Sequence, residues 1–514
     1  IPRSLLEEKR EGLLLGTACE QGELFQAVLA GRPEEELEAV ARRYDYLEIM
    51  PRGNNAFLMR DGRLPSEEAL LDVNRRIFRL GKRLDIPVVA TGDVHFLDPG
   101  DEVFRSILQF GMGFEDASLQ APLYLKTTDE MLSEFAYLGE AEAREVVIEN
   151  PRAVASRIGE VVPIKQAFHP PKLKDAEAEL EHLAREQARR RYGDPLPARV
   201  AERLSREIRA INTNNFASLF LIARRLVQKS LADGYLVGSR GSVGSSLTAT
   251  MLGVTEVNPL PGHYLCPECR FYEEDPERRI GADLPDRRCP RCGAELSKEG
   301  FDIPFEVFMG FRGDKLPDID LNFSGEYQST AHKYVEEIFD RKHIFKAGTI
   351  STVADRIAYG FVKKYLEEHK LTLRDAEVNR LTRGCAGVKK TTGQHPGGIM
   401  IVPEDMENYD FTPIQRPADD HNSSIITTHF DYHAIHEALI KLDILGHDDP
   451  TSLRRLGDLT GIDVQAIPLD DPETLAIFSG LGALGLDAGE IGTPIGTLGI
   501  PEFGTEFVRQ MLEV

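Results

Sequence analysis

Four cysteines in two Cys-x-x-Cys pairs constrain this chain more than any other local feature. Cys266 and Cys269 form the first pair and Cys289 and Cys292 the second, with 19 residues between the pairs. Each pair can direct two thiolates at one centre, and two pairs together predict a tetrahedral four-sulfur site suited to Zn²⁺. Because the protein would fill every coordination position, we expect a structural ion inside an insert at about 258–303. Reduced thiols in a loop are the alternative.

The composition predicts a globular protein of several domains. The chain has 514 residues, of which 41% are hydrophobic and 28% charged, and only 6 are cysteines, which excludes wholesale disorder and a disulfide scaffold. We expect no membrane span and a reducing, cytoplasmic location. The net charge of −23 argues against a simple nucleic-acid coat, yet residues 341–400 hold 12 Lys and Arg against 5 Asp and Glu. This basic segment predicts either contact with an anion or a solvated helical face.

The hydrophobic spacing alternates between helix and strand periods, which is typical of an α/β protein. Apolar residues at three- and four-residue steps predict a helix over 67–84, and the run at 86–91 predicts a buried strand. Further strands are expected at 233–237, 317–323, 399–402 and 439–445. Helices are expected to dominate 177–229, 326–381 and the last sixty residues.

Two carboxylates share one face of the strand expected at 317–323. Period two places Asp318 and Asp320 on the same side, with the apolar residues between them facing a core. Such a pair suits Mg²⁺, which binds one or two carboxylates together with substrate phosphates. A solvated strand end explains the pair as well. Asp443, in an apolar strand, is a candidate third carboxylate, although a surface-facing strand accounts for it as easily.

A glycine- and serine-rich turn follows the strand expected at 233–237. It contains Gly238, Ser239, Arg240, Gly241 and Ser242, and a helix is expected to begin shortly after it, at residue 247. Glycines allow a close backbone approach, and serine hydroxyls with free N–H groups at a helix start bind phosphate. The turn therefore predicts a phosphate site, and a flexible, ordinarily capped turn is the alternative.

Three stretches of this sequence, in this order, resemble the bacterial C-family replicative DNA polymerases. They are residues 237–246, 317–323 and 391–398. The four-cysteine insert and the stretch 441–450 resemble the PolC-type DNA polymerase III alpha subunit in particular. The resemblance extends over essentially the whole chain.

This resemblance implies an α/β multidomain fold with a polymerase-beta-like nucleotidyltransferase palm. The implied order is the C-terminal part of a PHP-type α/β barrel (polymerase and histidinol phosphatase) at 1–165, the first part of the palm with its zinc ribbon at 166–345, a helical thumb at 346–398, the second part of the palm at 399–450, and the start of helical fingers at 451–514.

The resemblance also implies a role for each matched residue. Asp318, Asp320 and Asp443 would be the catalytic aspartates and would hold two Mg²⁺ ions. The turn residues 238–242 would contact the incoming dNTP, and Lys389, Lys390 and His395 would lie near primer-template DNA. The implied activity is DNA-directed DNA synthesis in chromosome replication, in a nucleoid-associated enzyme. Sliding-clamp and other replisome contacts would involve regions outside this chain.

The N-terminal part resembles the later half of a PHP domain. The resemblance implies that Cys19, Asp93 and His95 match metal-ligand positions there, for Mn²⁺ or Zn²⁺. A buried small thiol and a hydrogen-bonded histidine are the alternatives, and the early His-x-His ligands have no counterpart in this sequence. We therefore expect an incomplete site in a piece of a longer polymerase. The alternative function is a DNA-binding remnant that is inactive on its own.

Overall fold

The structure is a computed structural model that describes residues 2–513 except Gln166, Pro276, Arg278, Arg279, Asp314 and His421. The chain divides into two compact units. The first comprises Ile1–Val162 with Ser351–Thr391, and the second comprises Pro163–Ile350 with Thr392–Val514. Residues 1 and 514, at the outer ends of these ranges, lie outside the described residues. Residue 166, at a domain boundary expected from the sequence, also lies outside them. None of the described helices is both long and apolar enough to cross a bilayer.

Helices account for most of the regular structure in the described residues. They are α1 Arg3–Glu8, α2 Glu23–Leu29, α3 Glu34–Ala41, α4 Phe57–Arg60, α5 Glu67–Leu84, α6 Glu102–Gly111, α7 Thr128–Glu134, α8 Glu140–Arg144, α9 Asn150–Ser156, α10 Ala176–Tyr192, α11 Ala198–Thr213, α12 Ala217–Ala232, α13 Leu247–Met251, α14 Glu306–Met309, α15 Gln328–Ile338, α16 Asp355–Glu368, α17 Asp375–Cys385, α18 Asp448–Thr460, α19 Pro472–Ala476, α20 Ala488–Ile491 and α21 Glu506–Leu512.

The strands form three sheets. They are β1 Leu47–Ile49, β2 Val88–Ala90, β3 Val237–Arg240, β4 His263–Leu265, β5 Tyr272–Glu274, β6 Ser297–Glu299, β7 Asp320–Ser324, β8 Ile344–Thr352, β9 Lys389–Ile401, β10 Ile414–Gln415, β11 Thr427–Thr428 and β12 Ile440–His447. Together with the helices they make a mixed α/β protein, as the sequence predicted.

The first unit is built mainly from helices. Helix α5 has the bounds that the periodicity predicted, and it begins at Ser66, whose hydroxyl accepts the N–H of Ala69. Its apolar face, which includes Ile77, packs into a core with the parallel pair β1 and β2. Helices α16 and α17 form another core of this unit with α6 around the buried Val362. Within the described residues this unit has one two-stranded sheet, so a PHP-type barrel stays a prediction.

The second unit is organised around a seven-stranded mixed sheet in the order β10-β11-β8-β9-β12-β7-β3. Strands β7 and β12 run parallel, and β3 and β9 flank them in antiparallel orientation. Leu321 on β7 and Leu442 on β12 are fully or almost fully buried in the main core, which also receives residues of α12 and α15. One sheet face therefore carries this core. The other face carries a second buried core, which includes Phe345 and Met400, and polar side chains where β7 and β12 pair.

Several strand predictions need correction. Strand β8 was missed, because helices were expected to dominate 326–381. Strand β9 begins at Lys389, ten residues before the strand expected at 399–402. The strand expected at 233–237 lies at 237–240, since Asp233 and the residues after it form the turn that ends α12. Strand β7 starts at Asp320, so Asp318 precedes it. The last sixty residues hold α18 and then only short helices.

The cysteine-bearing insert has its own three-stranded sheet, with β4 between β5 and β6. Its two ends meet through backbone hydrogen bonds. The N–H of Phe301 donates to the carbonyl of Asn258 at 3.0 Å, and that of Asp302 donates to Leu260 at 2.9 Å. The two ends of the insert thus lie side by side in a hydrogen-bonded neck. The insert also packs on α10, where Arg191 pairs with Glu299 at 2.6 Å and the Tyr192 ring contacts the rings of His263 and Tyr272.

Candidate functional site

Three carboxylates converge at the centre of the seven-stranded sheet. Asp320 on β7 and Asp443 on β12 are direct partners in the parallel register, and Asp318 lies two residues before the first residue of β7. One oxygen of each lies within 4.8 Å of the others. Asp443 is buried, Asp320 is half-buried and Asp318 is exposed, so the cluster opens to solvent on one side. The convergence expected from the sequence is therefore present.

The cluster carries more negative charge than its surroundings neutralise. Burial, followed by the charges of Asp318 and Asp443, raises the pKa of Asp320 from 3.8 to about 6. The ammonium of Lys441 lies 2.9 Å from Oδ2 of Asp443 and offsets part of this charge. Lys441 was not proposed from the sequence, although period two places it on the same strand face as Asp443.

One oxygen of the cluster lacks a hydrogen-bonding partner. Oδ1 of Asp443 is buried and accepts no hydrogen bond from any residue that the structure describes. Nδ1 of His395 lies 3.7 Å away, but it accepts the N–H of Gly398 at 2.7 Å and so has no proton to donate. An unsatisfied buried carboxylate oxygen is costly, and a divalent cation with oxygen ligands would satisfy it. The residues present therefore fit Mg²⁺.

The glycine-serine turn begins beside this cluster. Arg240, exposed at the end of β3, pairs in register with Asp320, and Gly238 pairs with Asn322. Gly241 has φ +70°, and a Cβ added there would lie 3.7 Å from Oδ2 of Asp320, so the backbone itself approaches the carboxylates closely.

The serines of the turn are placed differently from each other. Ser239 pairs with Leu321 on the opposite sheet face from the carboxylates, and its hydroxyl is 2.7 Å from that of Thr255. Ser242 is half-buried in the short 3-10 turn that follows Arg240. The groups of the turn that remain on the carboxylate side are the backbone of 240–242 and the Arg240 guanidinium.

The start of α13 does not match the expectation of a phosphate site there. Helix α13 does begin at residue 247 as predicted, but the carboxylate of Glu207 accepts the N–H groups of Leu247 and Thr248 at 3.1 and 2.9 Å. An internal anion already occupies the position that a phosphate would take at this helix start. Glu207 was missed because its sequence position, mid-helix in α11, shows nothing of its burial.

The four cysteines also converge. Their sulfurs lie within 4.8 Å of one another, with Cys266 to Cys292 at 3.4 Å and Cys269 to Cys289 at 3.5 Å. A tetrahedral Zn²⁺ with Zn–S bonds of about 2.3 Å separates its sulfurs by about 3.8 Å. A backbone N–H from Cys269 is the largest cause that lowers the pKa of Cys266 to about 6. This donor set fits a structural Zn²⁺.

The predicted DNA-binding residues fall in different units. Lys389 and Lys390 are exposed at the start of β9 in the first unit. His395 is half-buried in the second unit and contacts the edge of the Tyr432 ring. His395 is therefore placed next to the carboxylates.

The three predicted PHP-type metal residues do not form one cluster in the described part of the chain. Asp93 and His95 are exposed and 3.5 Å apart, whereas the Cys19 thiol is half-buried, and its burial raises its pKa. In the described part of the chain, these three form no group of potential ligands of the kind formed by the cysteines or the aspartates.

Comparison with known proteins shows the family to which the chain belongs. The family model described as bacterial DNA polymerase III alpha NTPase domain matches residues 178–369 and 362–446, which is more than half of the chain. The chain is similar over its whole length to proteins named DNA polymerase III PolC-type. It is 59% identical to that of Caldanaerobacter subterraneus, 57% to that of Clostridium perfringens and 51% to that of Bacillus subtilis.

The chain covers 37%, 36% and 36% of these three relatives, so it spans little more than a third of their length. The matched residues include both carboxylate strands, the glycine-serine turn and the four cysteines. The chain therefore belongs to the bacterial DNA polymerase III alpha family, and over its full length it is similar to the PolC type.

Proposed function

We propose that this chain carries the catalytic palm of a DNA-directed DNA polymerase that extends a primer 3′-hydroxyl with dNTPs during chromosome replication. The observation that carries the proposal is the convergence of Asp318, Asp320 and Asp443 beside the backbone of residues 240–242. Two strands distant in sequence bring these side chains together, which a solvated strand end would not require. The relatives' printed name supports the same activity.

The three carboxylates are proposed to hold the catalytic metal. Two Mg²⁺ ions bound there would supply the charge that stabilises both the attacking and the leaving oxygens of the transfer. Asp443 contributes its unsatisfied Oδ1, and Lys441 holds the other oxygen of that carboxylate in place. Asp320, with its raised pKa, has to lose its proton before it can act as a ligand.

The exposed part of the turn is proposed to bind the triphosphate. The Arg240 guanidinium can donate two hydrogen bonds to one phosphate, and the backbone at Gly241 and Ser242 can approach closely because no Cβ intervenes at residue 241. Gly238 and Ser239 contribute only their main chain, since the Ser239 hydroxyl is engaged on the other sheet face. This division of roles refines the five-residue site expected from the sequence.

Primer-template DNA is the proposed macromolecular partner. Lys389, Lys390 and the other exposed cations of the basic segment supply sequence-independent phosphate contacts, and His395 lies beside the carboxylates. This proposal also includes the domain assignments made from the sequence, the structural Zn²⁺ and a PHP-associated Mn²⁺ or Zn²⁺. It further includes the clamp and replisome contacts and a cytoplasmic, nucleoid-associated location.

Primer extension tests the proposal directly. The full chain is incubated with a primed template, dNTPs and Mg²⁺, and Asp443→Asn is compared with Glu202→Gln, which removes one exposed carboxylate from α11. Extension that is lost in Asp443→Asn and kept in Glu202→Gln supports the proposal. Extension by Asp443→Asn at the rate of the unaltered chain would refute it. Salt-sensitive DNA binding without any extension would favour the second candidate, a DNA-binding remnant.

A further inference from the structure

A fully buried carboxylate lies directly behind the proposed triphosphate turn. Glu207, on α11, has no exposed surface. Its two oxygens accept four hydrogen bonds. One comes from Arg203, one from the Ser246 hydroxyl at 2.9 Å, and two from the N–H groups of Leu247 and Thr248 at 3.1 and 2.9 Å. A charged group this deeply buried is retained only when its partners satisfy it, and here those partners include the far end of the turn.

The neutralising cation is Arg203, one helical turn earlier on α11. Its guanidinium pairs with the Glu207 carboxylate, and it also donates to the carbonyl of Ser245 at 2.7 Å and to that of Ile303 at 3.1 Å. The two side chains therefore fix the main chain of 245–248 by both its carbonyl and its amide groups. They also tie the turn to the segment that follows the cysteine-bearing insert.

Different interactions thus hold the two ends of the turn. At the near end, the pairing of Arg240 with Asp320 holds β3 against the carboxylate strand. At the far end, Glu207 holds residues 246–248. Between these ends, Val243 is buried in the main core, whereas Gly241 and Gly244 lack the side chains that would stiffen the backbone, so its path depends on this contact and on the two anchors. Loss of either anchor should let the backbone of 241–245 move.

We infer that Glu207, together with Arg203, is a positioning pair for nucleotide binding. The pair fixes the backbone of 241–245, and the internal carboxylate keeps the substrate's phosphates away from α13 and at the exposed residues 240–242 beside the aspartates. The inference rests on the proposed function, since it names how that same site is held in shape. Neither residue contacts the nucleotide, so both act through the turn.

The test compares Glu207→Gln with Glu202→Gln, which also removes one carboxylate from α11 but at an exposed position. Gln keeps the size of Glu but can accept hydrogen bonds through only one atom and pairs less well with Arg203. Affinity for a fluorescent dNTP analogue in the presence of Mg²⁺ is measured by titration well below the melting temperature of each variant. Amide hydrogen exchange across 238–248 is measured without nucleotide.

We expect Glu207→Gln to weaken nucleotide binding by about 10-fold to 100-fold and to speed exchange within 241–248, because small misplacements of binding groups have effects of this size. Glu202→Gln should change neither quantity. A lower melting temperature with unchanged nucleotide affinity would show a merely structural role and overturn the inference, as would unchanged exchange in the turn.

If the unaltered chain binds no nucleotide in the presence of Mg²⁺, the proposed function fails, whereas normal binding by both variants overturns only the positioning role. If Glu207→Gln does not fold, Ser246→Ala removes one of the four hydrogen bonds to Glu207, together with the cap that Ser246 provides for the N–H of Ala249, and leaves the buried charge pair intact. It should weaken nucleotide binding by about 3-fold or more, in line with the loss of one hydrogen bond to a charged group. Unaltered affinity in that variant would overturn the inference.

Discussion

Replacement of Asp320 by Asn should stabilise the metal-free protein at neutral pH and abolish its stabilisation by Mg²⁺. In the folded protein, burial and two neighbouring carboxylates raise the pKa of Asp320 from 3.8 to about 6. The charged form is therefore disfavoured by folding. The resulting penalty is absent below about pH 4, grows as the pH rises through 6, and is complete above it.

The size of this penalty follows from the pKa difference. Each pKa unit corresponds to about 1.4 kcal/mol, so the difference between 3.8 and about 6 sets an upper bound of roughly 3 kcal/mol. Asp320 is only half-buried, and solvent screening reduces the expected penalty to about 1.5 kcal/mol. At roughly 2 °C per kcal/mol for a protein of this size, Asp320→Asn should melt about 3 °C higher than the unaltered chain at pH 7.5 in EDTA.

The assay is thermal melting followed by circular dichroism, since the chain has no tryptophan to report unfolding. Melts at pH 4 and pH 7.5 are recorded in EDTA and in excess MgCl₂, with Glu202→Gln as the matched control. At pH 4 the two proteins should melt together. In MgCl₂ the order at pH 7.5 should reverse, because binding at a hundred times the dissociation constant adds about 2.7 kcal/mol to the unaltered protein alone. Equal melting of both proteins at pH 7.5 in EDTA would refute the electrostatic account of the site.

Three further predictions concern other parts of the second unit. Cys289→Ser should reduce the bound zinc from about one ion per chain to none, as measured with a colorimetric chelator, and full retention of zinc would exclude the four-sulfur site. Arg203→Met should lower the free energy of unfolding in urea by about 3–5 kcal/mol, because it leaves Glu207 buried without its cation; a loss below 1 kcal/mol would contradict that role. Lys441→Met should tighten Mg²⁺ binding in calorimetric titration, since the loss of a positive charge 2.9 Å from Asp443 leaves the carboxylate cluster more negative, and weaker binding would contradict this electrostatic effect.

The sequence was sufficient where a single side chain or a short spacing determines the outcome. The periodicity of α5 gave its bounds, because one amphipathic face and a Ser N-cap define such a helix. The spacing of the cysteines gave their convergence. The motifs identified the three aspartates as candidate ligands. The resemblance was needed to group Asp443 with Asp318 and Asp320, because strand order and register depend on the whole sheet.

What could not be predicted depends on tertiary packing. Arg203 and Glu207 are four residues apart on one helix, which in a sequence is typical of an exposed ion pair. Their burial results from the packing of α11 against α13, and the sequence of α11 alone does not indicate that contact. Strand β8 was missed for a similar reason, since it lies between helices and pairs with strands that come much later in the chain.

The hydrogen-bonded neck of the cysteine-bearing insert has a consequence for protein engineering. Because the carbonyls of Asn258 and Leu260 already accept the amides of Phe301 and Asp302, the chain on either side is held in place independently of the length between them. Because the entropic cost of closing a loop grows only slowly with its length, the segment between such ends can be replaced by one of different length. A fluorescent or affinity module grafted into the insert beyond this neck would leave the strand pairing of the aspartates untouched, and so would provide a handle for immobilising the chain without disturbing the proposed site.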